Sequence, residues 1–135
     1  TGMVYTSHEG LDELAPTGPV SVWEIRDGKV HETEFDPTAE LGLDPVTLDD
    51  LRGGEPAVNA QAMLDFLAGR PVPFRSTALL NAASAIVADA RRLPDPDAAL
   101  AQRFRDAYAM AVVRTTSGFD FRLAEIRHSV IEPPR

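Results

Sequence analysis

The chain has no cysteine, so it has neither a disulfide framework nor a thiolate zinc site. No apolar run approaches the roughly 20 residues that span a bilayer, and no signal-peptide pattern is visible. No membrane partner is therefore expected. Positive charge is scarce: 13 Lys and Arg stand against 21 Asp and Glu, for a net charge of −8. Sequence-independent nucleic-acid binding needs a basic face to displace counterions, so no nucleic-acid partner is expected either. The balance fits a cytoplasmic protein, or one that handles anions with the help of a metal. What is present is ordinary. The 135 residues, 44% hydrophobic and 25% charged, suffice for one domain with a modest core.

Met3 to Thr6 is short, apolar and β-branched, and predicts a buried strand. Because it starts at once, it suggests an element entered midway, with something upstream. Gly10 to Gly18 reads as loop, broken by Pro16 and Gly18. "PVSVWEI" and "KVHETEF" flank "RDG". Asp27-Gly28 is the dipeptide of a type I′ turn, whose central residues both need positive φ, so Pro19 to Phe35 predicts a hairpin. On its first strand Val20 and Val22 share one face, and Ser21, Trp23 and Ile25 share the other.

Asp36 to Pro45 reads as irregular. Thr47 to Asp50 predicts a short capped helix ending at Gly53-Gly54. Pro56 suits a first helical position, so a helix is expected to Ala68, with Gly69 as its stop and Ala60, Met63/Leu64 and Leu67 as its inward stripe. Ser76 is expected to cap the next helix, whose "ALLNAASAIVADA" is apolar nearly all round and so central. Asp95 and Pro96 predict the start of a third long helix, with Leu100, Phe104, Ala107/Tyr108 and Ala111/Val112 inward. Gly118 should break it, Phe119 to Ile126 should form a last short helix, and the tail from 128 to 135 should be disordered. The expected organisation is a single partial domain: strand and hairpin over 3–35, helices over 47–127. A lone buried strand wants a sheet that this chain does not obviously supply.

Asp12-Glu13, within "HEGLDEL", is the first candidate site. Adjacent carboxylates on a loop after a strand suit Mg²⁺, which takes few protein ligands and keeps several waters. On the residues alone the commoner arrangement is that Asp12 caps the next turn while Glu13 is solvated. "LRGGEPAVNA" offers free glycine amides before a helix. Glu55 would oppose an anion there, and no Lys follows, so it reads as a corner and not a P-loop. Asn59 and Asn81, on apolar helices, read as buried structural amides. His8, His31 and His128 show no metal-ligand spacing, and Arg91-Arg92 reads as a helix-end pair.

Three segments, in order, carry a resemblance: "GLDEL" (10–14), "LRGGEPAVNAQAMLDFLAG" (51–69) and "LLNAASAIV" (79–87), with the hairpin and "FDPTAELGL" between the first two. From about Met3 to Ala90 the chain resembles the C-terminal part of the anthranilate phosphoribosyltransferase family. The resemblance implies an α/β fold: the C-terminal portion of a phosphoribosyltransferase α/β domain, a strand and β-hairpin followed by three to four helices. It implies a Mg²⁺-dependent transferase that moves a 5-phosphoribosyl group from phosphoribosyl pyrophosphate to the amine of anthranilate, in tryptophan biosynthesis. On this chain the family's acidic metal-binding role falls on Asp12 and Glu13.

The family's glycine-rich phosphate loop and anthranilate contacts belong to its amino-terminal part, which has no counterpart here. The chain alone is therefore expected to be inactive, with no catalytic residue of its own to assign. It should expose strand edges and self-associate. Two positions depart from the family pattern: Thr6-Ser7 in place of His-Gly, and Ser76 in place of Asp. A paralogous module, non-catalytic or with another acceptor, stays open.

Overall fold

The computed structural model describes residues 2–117. The expected helix over Phe119 to Ile126, its break at Gly118 and the tail from 128 lie outside the described residues.

Three strands form one antiparallel sheet in the order β1-β2-β3: β1 (Gly2–Ser7), β2 (Val20–Arg26) and β3 (Lys29–Phe35). The hairpin is the one expected. Asp27 has φ 52° and Gly28 φ 71°, the two positive values that a type I′ turn demands. The first strand corrects the reading. Residues 2–7 do find a sheet within the chain, pairing along β2 with Tyr5 opposite Val22. They form an edge strand with alternating faces and not a buried one. Met3, Tyr5 and Ser7 turn inward, while Val4 is 58% exposed.

Four helices follow: α1 (Pro37–Leu41), α2 (Pro56–Leu67), α3 (Arg75–Asp89) and α4 (Leu100–Ser117). Helix α1 occupies a stretch read as irregular. The Asp36 side chain accepts hydrogen bonds from the Thr38 and Ala39 amides, Pro37 opens the helix, and Gly42 closes it in the left-handed region. Thr47 and Asp50 do cap each other, each side chain accepting the other's backbone N–H. They close only a turn, not the expected helix. Helix α3 begins at Arg75 without a side-chain cap, so Ser76 lies inside its first turn and is not its cap. Asp95 accepts a hydrogen bond from the Asp97 amide in a separate turn, and α4 starts only at Leu100.

Helices α3 and α4 pack antiparallel, because Leu79 meets Ala111 at one end while Val87 meets Leu100 and Phe104 at the other. Together they cover the inner sheet face, where Val20, Val22 and Phe35 are buried. Phe35 stacks on Phe104, with ring centroids 4.5 Å apart. The expected inward positions of α4 are borne out: Leu100, Phe104, Ala107 and Ala111 are all buried. Of those of α2 only Leu67 is half-buried, against the Phe66 cluster. Ala60, Met63 and Leu64 are exposed, and Phe66 is the buried residue of that helix. Its periodicity marks a face, but no described element packs on most of it.

One buried ion pair ties sheet to helices. Arg103, 2% exposed, donates through Nη1 and Nη2 to the two carboxylate oxygens of Glu24 at 2.6 and 2.7 Å, and through Nε to the Ala98 carbonyl at 2.9 Å. This bidentate geometry satisfies both groups away from water, the condition under which a buried pair is tolerated.

Candidate functional site

The Asp12-Glu13 loop follows β1, and its local hydrogen bonds explain its shape. The Leu11 amide donates to Ser7 Oγ at 2.8 Å, the Ser7 amide to the Leu11 carbonyl at 3.2 Å, and the Gly10 amide to the Ser7 carbonyl at 3.1 Å. Gly10, at φ 84°, takes the backbone conformation that lets this turn close. Ser7, where the family pattern has another residue, is thus a working part of the turn.

The far end of the loop is fixed by Asn81 of α3. Its Oδ1 accepts from the Leu14 amide at 3.2 Å, and its Nδ2 donates to the Leu14 carbonyl at 2.8 Å. The same amide accepts from the Tyr5 hydroxyl at 3.1 Å and donates to the Thr77 carbonyl at 2.8 Å. Ser84 stands 3.2 Å from the Tyr5 hydroxyl and donates to the Asn81 carbonyl. Leu14 itself is 0% exposed. Strand β1, the acidic loop and α3 therefore meet at one side chain. Asn81 is the structural amide expected from the sequence, half-buried and fully used.

Between these two anchors Asp12 and Glu13 are exposed, and neither carboxylate has a hydrogen bond or ion pair among the described residues. They are neither caps nor salt-bridge partners. Among the described residues no group of three or more His, Asp or Glu is placed to hold a metal ion. The donor set at the loop is two adjacent exposed carboxylates. It fits a hard cation that keeps several waters and takes its other oxygens from a phosphate. It does not fit a closed structural site.

The other candidates are set aside by their contacts. The Asn59 side chain is exposed, not buried as expected, but it is hydrogen-bonded: Oδ1 accepts from the Gly54 amide at 2.8 Å, and Nδ2 donates to the Gly54 carbonyl at 2.9 Å. That uses the amide a phosphate would have needed. His31 is exposed on β3, and His8 lies 4.0 Å from Glu34, both exposed. Arg91 pairs with Asp89 at 2.7 Å. A cavity of about 500 Å³ between α3 and α4 has no residue of the acidic loop in its lining.

Sequence reasoning missed the Glu24–Arg103 pair. The signal was there: Glu24 is in phase with Val20 and Val22 on the strand, and Arg103 sits three residues after Leu100 on the helix stripe. Both had to point inward.

The antiparallel sheet with helices packed on its inner face, and an exposed acidic loop pinned between a strand and a helix, define an α/β domain. Residues 1–109 match the model of the glycosyl transferase family, a/b domain, and the chain belongs to that family. It is 49% identical over 87 residues to the anthranilate phosphoribosyltransferase of Arthrobacter sp. (strain FB24), a match covering 64% of this chain and 24% of that protein. It is 38% identical over 125 residues to that of Streptomyces avermitilis, covering 93% and 34%. To that of Salinispora arenicola (strain CNS-205) it is 36% identical over 132 residues, covering 95% and 36%. The chain thus spans about a quarter to a third of the length of these relatives. No described helix is long and apolar enough to cross a membrane.

Proposed function

We propose that this chain acts as part of an anthranilate phosphoribosyltransferase, a cytoplasmic enzyme of tryptophan biosynthesis. The complete enzyme transfers a 5-phosphoribosyl group from phosphoribosyl pyrophosphate to the anthranilate amine and releases pyrophosphate. The observation that supports this most is the free, outward Asp12-Glu13 pair, held by Asn81 in a chain whose relatives carry that name. Asp12 and Glu13 would hold Mg²⁺, whose charge offsets the charge that grows on a departing pyrophosphate. Ser7, Leu14 and Asn81 orient the loop. The groups that bind phosphoribosyl pyrophosphate and anthranilate lie outside this chain, which alone is inactive. The test is pyrophosphate release from phosphoribosyl pyrophosphate and anthranilate by the full-length gene product. Release that requires both anthranilate and Mg²⁺ is expected. Its absence would favour the paralogous module.

We also propose that the chain by itself associates with a second copy through the outer sheet face and the free edge of β1. Val4 stands opposite Trp23, and Ile25 opposite Val30. Val4, Ile25 and Val30 are 58%, 44% and 65% exposed, an apolar patch beside a strand edge that no described strand pairs. Light scattering should show a dimer or larger species. Val4→Lys should shift it toward monomer.

A further inference from the structure

We propose that Tyr5 is a positioning residue for the cation that Asp12 and Glu13 would hold: its hydroxyl locks the Asn81 amide in the one orientation that clamps Leu14, and so sets how firmly the loop presents its carboxylates. This rests on the metal-binding role proposed above for the loop and adds a determinant of its affinity. A count of donors and acceptors carries it. Asn81 Oδ1 has two lone pairs and accepts from the Leu14 amide at 3.2 Å and the Tyr5 hydroxyl at 3.1 Å. Its Nδ2 has two hydrogens and donates both, to the Leu14 and Thr77 carbonyls, each at 2.8 Å. The amide is therefore fully used. Turned by half a circle, it would set its hydrogens against the Leu14 N–H and the Tyr5 hydroxyl, and Oδ1 against two carbonyls.

The protons leave Tyr5 no alternative. Oδ1 can only accept, so the Tyr5 proton goes to it. Ser84 Oγ, on a residue 6% exposed, lies 2.8 Å from the Asn81 carbonyl and 3.2 Å from the Tyr5 hydroxyl oxygen, and its single proton serves one or the other. The Tyr5 ring is half-buried and packs against the core, which holds the hydroxyl in place. Glu13 is joined to Leu14 by one peptide bond, so slack at Leu14 reaches its carboxylate directly. Mg²⁺ demands near-ideal octahedral geometry, and a loosely held loop must be ordered at each binding event. The chain supplies its own contrast. Asp49-Asp50 is another pair of adjacent exposed carboxylates. There Asp50 accepts from the Thr47 amide and hydroxyl at 2.8 and 2.7 Å, and Asp49 from Arg52 at 2.9 Å. Of the two pairs, Asp12-Glu13 is the one that is anchored through its backbone while its carboxylates stay unengaged by the described residues.

The test is Tyr5→Phe, which keeps the ring and deletes the hydroxyl. Mn²⁺ is titrated into the isotope-labelled full chain, and the loss of the Asp12 and Glu13 amide signals is followed by NMR. Half loss should need about 3-fold more Mn²⁺ in the variant, less than the about 10–100-fold that follows removal of a group bonded directly to a metal ligand. The Asp49 and Asp50 signals should respond alike in both proteins. Exchange of the Leu14 amide, measured without metal, should quicken by roughly 3- to 10-fold, the scale of one hydrogen bond. Asp36→Ala, which removes a cap not bonded to the loop, should leave both readings at their wild-type values, and this separates positioning from general destabilisation. An unchanged Mn²⁺ midpoint in Tyr5→Phe would overturn the role of Tyr5 and leave the loop as a cation site. An equal shift in Asp36→Ala would overturn it too. Wild-type signals at Asp12 and Glu13 that respond no more than those at Asp49 and Asp50 would remove the cation site itself, and the role of Tyr5 with it.

Discussion

The Gly10–Leu14 loop and helix α2 carry two of the three stretches that resemble the transferase family, yet the chain treats them differently. The loop is tied at both ends, by Ser7 to its own strand and by Asn81 to α3. Helix α2 has a regular apolar periodicity, but Val58, Met63 and Leu64 are 61%, 49% and 37% exposed. It is joined to the core chiefly through Phe66, whose ring meets Phe74 at 5.8 Å and lies under the Arg75 guanidinium at 5.7 Å. A shared family motif therefore does not imply a shared kind of constraint. In the loop, hydrogen bonds position two exposed carboxylates that pair with no described residue. In α2, the motif presents a surface.

Substitutions can break or sharpen this contrast. The largest effect should come from the pair beneath the anchored half. Arg103→Met leaves Glu24 buried without its bidentate partner, with only the Arg26 guanidinium 3.9 Å away, and should cost about 3–5 kcal/mol in denaturant unfolding. Adding Glu24→Leu should recover most of that loss. A double variant as unstable as the single one would mean that packing, and not the stranded charge, sets the cost.

Asn81→Ala comes next. It removes the partner of the Leu14 amide and carbonyl and of the Tyr5 hydroxyl, and should cost about 1–3 kcal/mol. Hydrogen exchange at Leu14 should accelerate by more than at residues of α2. Unchanged Leu14 exchange would show that the loop is not held from α3. Asp36→Ala should cost about 1 kcal/mol through loss of the α1 cap. Its pH dependence has a definite sign. The Thr38 hydroxyl, followed by the Ala39 and Thr38 amides, holds the Asp36 carboxyl below its ordinary 3.8, while burial opposes them. The folded state therefore takes up this proton at lower pH than the unfolded state. The contribution is full above 3.8 and is lost as pH falls through the lower folded value. The stability gap between wild type and Asp36→Ala, followed by urea midpoints, should close in that acid range. Smallest of all, Val58→Lys with Met63→Lys on α2 should change stability by less than about 0.5 kcal/mol.

The hairpin and α4 were legible because their signals are local. Asp27-Gly28 states its turn, and the Leu100, Phe104, Ala107 and Ala111 spacing states its inward face. Helix α1 was legible too, in Asp36, Pro37 and Gly42, but a helix of 5 residues offers too little periodicity to prompt the reading. The exposed stripe of α2 shows the opposite limit: periodicity finds a face without telling what covers it. The acidic loop was legible as a stretch of residue types and by resemblance. Its anchoring was not, because Asn81 lies 67 residues from Leu14 and no local pattern reports a contact across that separation. Nor does composition reveal the Glu24–Arg103 pair, which needs both elements placed in phase.

The central claim is that Asp12 and Glu13, presented by the Asn81-anchored loop, hold the magnesium of a phosphoribosyl transfer. The most direct measurement is the Mg²⁺ dependence of pyrophosphate release by the full-length gene product carrying Asp12→Asn or Glu13→Gln, beside wild type. Each variant should need at least ~10-fold more Mg²⁺ for half-maximal rate, as expected when a group that supports a metal site is removed. It should also release pyrophosphate roughly a hundredfold more slowly at fixed Mg²⁺, the scale of losing one stabiliser of developing charge. Wild-type Mg²⁺ dependence and rate in both variants would contradict the account.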